Sequence, residues 1–310
     1  MGKGDDIRGI IVPLLTPFDK FEKLDEGLFR KQVRYLLSCG VHGLSPGGST
    51  GEGAMVKDEE LARMIEIIRE EDTRGIKVIA GIIRCSVRDA ISAGLIAKKA
   101  GADALMVTPV FYNVLVPNEE GNYLYFKKIS DEVGLPIIIY NVIPQNPVSV
   151  NMFLKLLEID NVIGIKQSIG GIMEMYAMKQ ACKDKGLVFA ATDEMLFSCF
   201  ELGADGAISA ILSLFPRIAV KMWNLCRAGK YEEGIMLQNK VYPVWKAIGG
   251  PQFTAKMKAV LKAVGRDCGY PLSPMLECDT DFILSIKSQL DEIIAEEESI
   301  DNLLICKELN

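Results

Sequence analysis

Short apolar runs rich in β-branched residues alternate with longer segments of helical period, and the alternation repeats eight times from the N-terminus. The runs are 9–15 (GIIVPLL), 42–47 (HGLSPG), 77–83 (KVIAGII), 104–109 (ALMVTP), 136–142 (PIIIYNV), 162–167 (VIGIKQ), 187–192 (LVFAAT) and 206–210 (GAISA). Each is too short for a helix. Helical pattern fills 25–39, 58–72, 87–100, 119–133, 149–158, 171–184, 194–203 and 215–228. Nearly continuous apolar strands separated by helices imply a parallel sheet covered on both faces, either doubly wound or closed. Eight units favour closure. The expected class is α/β, a (β/α)8 TIM barrel forming a catalytic domain over residues 1–228, its first strand entering near residue 7.

Residues 229–310 keep a helical pattern, broken by Gly-Gly-Pro at 249–251 and by DCGYPLSP at 267–274, which predicts an appendage of about three helices. Its acidic run, Glu296, Glu297 and Glu298, reads as a solvated helix face, with an interaction tail as the alternative. Lys256, Lys258 and Lys262 read as the wet side of an amphipathic helix.

Composition narrows the function. With 49% apolar and 25% charged residues the chain has a core to bury, which excludes global disorder. A net charge of −6 offers no footprint for nonspecific binding to nucleic acid or anionic membrane, so small molecules are the expected ligands. The apolar runs fall far short of the roughly 18 residues that cross a bilayer. MGKGDDIRGI lacks the basic patch and apolar stretch of a signal peptide, and Asp6 stands where myristoylation needs Ser or Thr. The eight cysteines are never closer than ten residues and form no CxxC pair, as expected of reduced thiols in a cytoplasmic protein. The single histidine, His42, excludes multi-His zinc sites and reads as a hydrogen-bonded structural residue. Proton transfer then falls to Lys, Tyr, Asp or Glu.

In such a barrel the chemistry belongs at the C-terminal ends of the strands. VIGIKQ carries Lys166 to the rim of the sixth strand. A buried amine can act as a Schiff-base nucleophile, and a strand-end lysine snorkelling to solvent is the competing reading. IIIYNV carries Tyr140 to the neighbouring rim, where a phenol can relay the protons of carbinolamine chemistry or simply rest its ring in the core. PGGSTGEGAMV, at 46–56, combines glycines that let backbone approach a ligand with Ser49 and Thr50, a loop suited to an anion or to capping the next helix. In ATDEMLF, Thr192, Asp193 and Glu194 either line a pocket mouth or cap a helix.

Taken together, GGSTGE (47–52), YNVIP (140–144) and GIKQS (164–168), with TP at 16–17 and 108–109, give the chain its resemblance to the dihydrodipicolinate synthase/N-acetylneuraminate lyase family. The resemblance covers nearly the whole chain, C-terminal helices included. It implies a class I, metal-free and cofactor-free lyase in which Lys166 forms an imine with pyruvate or a similar 2-oxo acid. Tyr140 would relay protons. Ser49, grouped with these catalytic residues, and Thr50 would hold the carboxylate, and Gly48 and Ile208 would contact the substrate. The resemblance further implies a homo-oligomer, dimer or tetramer, in which Tyr112 or Phe111 takes the position of a tyrosine lent to a neighbouring subunit.

Departures from the family pattern bear on the second substrate. The synthases resemble YNVPxRT, whereas YNVIPQNP has an extra residue and lacks the arginine that grips a carboxylate. Asp193 and Glu194 match the acidic positions that bind sugar hydroxyls in the lyases, but Ala191 and Ala210 replace a glycine and a serine. The expected activity is a pyruvate lyase or aldolase acting on a 2-oxo acid such as a 2-keto-3-deoxy sugar acid or a sialic-acid-like substrate. The alternatives are a dihydrodipicolinate synthase or imine-using dehydratase and, from another class, a noncatalytic homologue that binds a 2-oxo acid.

Overall fold

The computed structural model describes residues 4 and 6–308, the side chains of 301–308 excepted. The expected segments 1–228 and 229–310 therefore extend past it at residues 1–3, 5, 309 and 310, and the side chain of Cys306 lies outside it.

Eight parallel strands close a ring in sequence order: β1 (Gly9–Pro13), β2 (Gly43–Ser45), β3 (Lys77–Ile82), β4 (Ala104–Val107), β5 (Ile137–Asn141), β6 (Val162–Gln167), β7 (Leu187–Ala190) and β8 (Gly206–Ala207). Closure is made where Gly9 pairs with Gly206 and Ile10 with Ala207. Gly206 has φ 153°, and a Cβ there would lie 2.1 Å from the Gly9 carbonyl oxygen, so a side chain would hold the last seam open. The helices between strands are α1 (Glu26–Ser38), α2 (Asp58–Glu71), α3 (Val87–Ala100), α4 (Glu119–Val133), α5 (Val150–Leu156), α6 (Gly171–Cys182), α7 (Leu196–Glu201) and α8 (Pro216–Arg227). Several start on side-chain caps: Asp25 accepts from Leu28 N, Ser86 from Asp89 N and Ser149 from Met152 N.

Strand parity sorts the core into two compartments. Ile11, Ile79, Met106, Ile138 and Phe189 point into the barrel, while Ile10, Val12, Val78, Leu105, Ile139 and Val188 face the helices. Both sets are fully buried, which is why the strands read as continuous apolar runs.

The structure departs from expectation in four places. The segment 194–203 opens with a 3₁₀ turn, Asp193–Met195, and only then becomes α7. The appendage has four helices among the described residues: α9 (Tyr231–Ile248), α10 (Phe253–Ala263), α11 (Thr280–Ser285) and α12 (Lys287–Glu308). The third expected helix is broken at Ile286, which is buried against the core. The acidic run is not all solvated. Glu297 is buried and accepts from Arg217 N and Ile218 N at 2.8 and 2.9 Å, closing the N-terminus of α8, while Glu296 bridges Lys221 and Lys240. Nor are the three lysines one wet face. Lys258 is 4% exposed and donates to Thr16 O and Tyr270 O at 2.7 and 2.6 Å.

His42 is structural, as expected. It precedes β2 on the face opposite the strand C-termini, and its Nδ1 accepts from Ile10 N at 3.1 Å. Burial and the charges of Arg74 and Arg227 hold its pKa below the usual value.

Candidate active site

Register brings the two central side chains together. Tyr140 of β5 is the direct partner of Lys166 of β6, so both project to the same face, into the mouth of the barrel. The Lys166 Nζ lies 3.8 Å from the centroid of the Tyr140 ring, a cation–π contact, and both residues are buried at 4% exposure. Lys166 therefore does not snorkel to solvent. The Tyr140 hydroxyl is not spent on a backbone carbonyl either: it donates to Ser49 Oγ at 3.1 Å.

The ends of these strands are locked by their neighbours in sequence. Asn141 donates to Gln167 Oε1 and to Val148 O, both at 2.9 Å, and accepts from Val148 N at 2.9 Å. Gln167 in turn donates to Ile169 O at 2.7 Å. The residues after Tyr140 and Lys166 in YNV and IKQ thus hold the two strand ends side by side.

Ser49 begins a 3₁₀ turn, Ser49–Gly51, whose Gly51 carbonyl accepts from Thr16 Oγ1 at 2.7 Å. The glycines of this loop let it fold closely on itself. A Cβ on Gly53 would lie 1.7 Å from Gly47 O, and Gly51 N and Gly53 N both donate to Gly48 O at 3.0 Å. Gly48 is buried, its Cβ position facing Met106 at 3.3 Å, and it is not among the residues that line the cavity.

The cavity that results has a volume of about 230 Å³, and Ser49, Thr50, Tyr140, Lys166, Asp193 and Ile208 all line it. Asp193 is held by Ile211 N, which donates to its Oδ1 at 2.7 Å. Burial pushes its carboxyl up to about 6, even against the Ser209 hydroxyl, the Ile211 N–H and the Lys166 charge, which favour the ionised form. Glu194 does not line the cavity. Tyr112 does not either; its side chain is 59% exposed, and its expected place is in a neighbouring copy's site.

The lining also includes residues to which the sequence assigns no part in the site, among them Ser168, Ser209, Trp245 and Phe253. Ser168 directly follows β6, and Ser209, inside the expected run 206–210, lies two positions past the observed end of β8. Trp245 and Phe253 come from α9 and α10, whose amphipathic pattern gives no sign that they reach the barrel mouth.

Comparison with known proteins agrees with this geometry. A family model described as the dihydrodipicolinate synthetase family matches residues 6–293. The chain is similar to a 4-hydroxy-tetrahydrodipicolinate synthase of Methylobacterium radiotolerans, 32% identical over 279 residues, 88% of this chain and 92% of the relative. It is similar to CdNal from Clostridium difficile, solved in complex with mannosamine, at 28% identity and a TM-score of 0.83, covering 94% of this chain and 99% of that one. It also resembles the chloride-inhibited dihydrodipicolinate synthase from Acinetobacter baumannii, solved with pyruvate, at 27% identity and a TM-score of 0.86, covering 93% and 99% of the two chains.

Proposed function

Because the chain belongs to the dihydrodipicolinate synthetase family, we propose that it is a class I lyase or aldolase that makes or breaks a carbon–carbon bond beside the carbonyl of a 2-oxo acid such as pyruvate. The observation that carries this reading is the buried Lys166 amine 3.8 Å from the Tyr140 ring, with the Tyr140 hydroxyl on Ser49. In the proposed reaction Lys166 Nζ adds to the ketone carbon and water leaves. Tyr140 and Ser49 pass the protons of carbinolamine formation and collapse. Ser49 and Thr50 hold the carboxylate. The imine withdraws electrons as a ketone cannot, so the adjoining carbon–carbon bond can break or the enamine can attack an aldehyde. Lys166 and Tyr140 are buried, and in such low-dielectric surroundings preorganised dipoles act more strongly than in water.

The test is to reduce the protein with borohydride in the presence of pyruvate and measure intact mass. A pyruvyl adduct on Lys166, lost in Lys166→Ala, supports the reading. An adduct that survives in that variant places the imine on another lysine, and no adduct in the parent protein favours a noncatalytic homologue.

A second reading is 4-hydroxy-tetrahydrodipicolinate synthase activity, favoured by the name of the Methylobacterium radiotolerans relative. Against it, no cavity-lining residue among those described is cationic apart from Lys166, whereas aspartate semialdehyde brings a carboxylate of its own. Rapid condensation of pyruvate with aspartate semialdehyde would establish it.

We further propose a cytoplasmic homo-oligomer with a barrel over 1–228 and an appendage over 229–310. The seven unpaired described cysteines support the compartment, and the exposed Tyr112, Val114 and Leu115 support a contact between copies. No helix among the described residues is long and apolar enough to cross a membrane.

A further inference from the structure

Once Lys166, Tyr140, Ser49 and Thr50 are assigned to the 2-oxo acid, the rest of the cavity describes the other half of the substrate. Besides Ile208 and Asp193, its lining is Val142, Ala191, Ala210, Trp245 and Phe253, the glycines Gly249 and Gly250, and two hydroxyl residues, Ser168 and Ser209. Among the described lining residues the sole cation is Lys166, which the imine consumes, and the sole anion is Asp193. One Asp193 oxygen is already engaged by Ile211 N. The polar side chains of the loop after Tyr140 turn elsewhere. Gln145 donates to Phe111 O at 2.6 Å, and Asn146 donates to Val110 O at 3.1 Å and is locked to Asn122 at 2.7 Å.

A carboxylate on the aldehyde half would meet no counter-charge here and would face Asp193. A polyhydroxylated chain would have to desolvate a hydroxyl at nearly every carbon, and the walls offer hydrogen-bond partners for few of them. A flat apolar group meets the opposite situation: Trp245 and Phe253, both half-buried, line the cavity together with small Ala191 and Ala210, and aromatic rings favour flat apolar partners.

From this arrangement, and resting on the imine reading above, we infer that the aldehyde half of the substrate is uncharged and predominantly apolar, of aromatic size, with Trp245 and Phe253 as the residues that select it. In the condensation direction, C3 of the enamine forms the new bond to the aldehyde carbon while the aldehyde oxygen takes a proton. The water released when the imine formed is taken up again when the product imine is hydrolysed. Pyruvate and aldehyde thus combine into one 4-hydroxy-2-oxo acid with no other reactant. The reaction feeding or consuming such a product would be one that makes or uses a 4-hydroxy-2-oxo acid with an apolar substituent at C4.

The test is a condensation assay of the full chain with pyruvate and each of three aldehydes: benzaldehyde, glyceraldehyde and succinic semialdehyde. The expected result is a kcat/KM for benzaldehyde higher than either of the others by about tenfold or more. Equal or better use of glyceraldehyde or succinic semialdehyde, or no condensation with any of the three, overturns the inference. Trp245→Ala and Phe253→Ala should each shrink the benzaldehyde preference, and Trp245→Phe should retain it. An unchanged preference in both alanine variants removes these residues from the selecting role. Borohydride trapping of pyruvate on the parent protein separates the two levels. A trapped imine with the wrong aldehyde preference sinks this inference alone, and an absent imine sinks the underlying reading.

Discussion

Glu52, the last residue of the GGSTGE loop, is ion-paired at 2.7 Å with Lys258 of α10, and the two side chains are 1% and 3% exposed. Glu52 also accepts from Leu272 N at 2.7 Å, while Lys258 holds Thr16 O and Tyr270 O. One buried cluster therefore joins the loop that carries Ser49, the segment after β1, and the appendage. Breaking a buried pair from one side leaves an uncompensated charge, at a cost of about 3–5 kcal/mol. Lys258→Met should destabilise by about that much in urea unfolding, and the double variant Glu52→Leu/Lys258→Met should recover part of the loss. A double-variant loss equal to the sum of the losses in Glu52→Leu and Lys258→Met would mean that the pair is not coupled.

Asp193 makes stability depend on pH in a definite direction. Its carboxyl stands at about 6 in the folded chain against an ordinary 3.8, so the folded state binds the proton more tightly. Its contribution is fully present below the unfolded value and is lost as pH rises through about 6. Asp193→Asn keeps an acceptor for Ile211 N but cannot titrate. Measured by chemical unfolding between pH 4 and 8, the parent protein should lose about 2–3 kcal/mol relative to this variant as pH increases. Parallel pH curves would refute the assignment.

Tyr140 and Lys166 should separate kinetically. Tyr140→Phe keeps the ring under the amine but removes the hydroxyl that reaches Ser49. Turnover should fall by about 10²–10⁴, the usual share of a positioned proton donor, while slow borohydride trapping on Lys166 persists. Undiminished turnover in this variant would leave the phenol without a role in proton transfer.

Glu297 should behave as a cap supplied from a distant helix. Glu297→Ala strips the first N–H groups of α8 of their acceptor and should cost about 1–2 kcal/mol in thermal or urea unfolding. Burial also pushes the Glu297 carboxyl up to about 7 from 4.5. The stability it contributes is thus lost as pH rises through about 7, and Glu297→Gln should flatten that part of the pH profile. A profile unchanged in the glutamine variant would rule this titration out.

The barrel was readable because nothing local competed with it: the runs at 104–109 and 162–167 are apolar on both faces, the signature of strands covered on both sides, and the helical segments between them keep their period. Lys166 and Tyr140 stood out because each interrupts such a run at its C-terminal end. Lys258 and Glu297 were misread for one shared reason. A charged residue at a helical spacing looks solvated unless its partner is known, and their partners, Glu52 and the backbone N–H groups of Arg217 and Ile218, lie 206 and about 80 positions away in sequence. A glycine that packs against its own chain and one that admits a ligand look identical as letters, so the sequence of the 46–56 loop does not tell them apart. Trp245 and Phe253 escaped because their helices bury other faces, and only the docking of the appendage swings them over the barrel mouth.

That docking has a consequence for biosynthesis. The lysine emerges from the ribosome well before the last helices, and every barrel strand precedes the wall that Trp245 and Phe253 complete. A nascent chain halted after α8 has the Lys166 amine without the Trp245 and Phe253 wall, and Glu52 without Lys258 to neutralise it. On the proposed chemistry, translation order alone thus postpones a walled site until the segment after residue 228, about the last quarter of the 310 residues, has been made and seated.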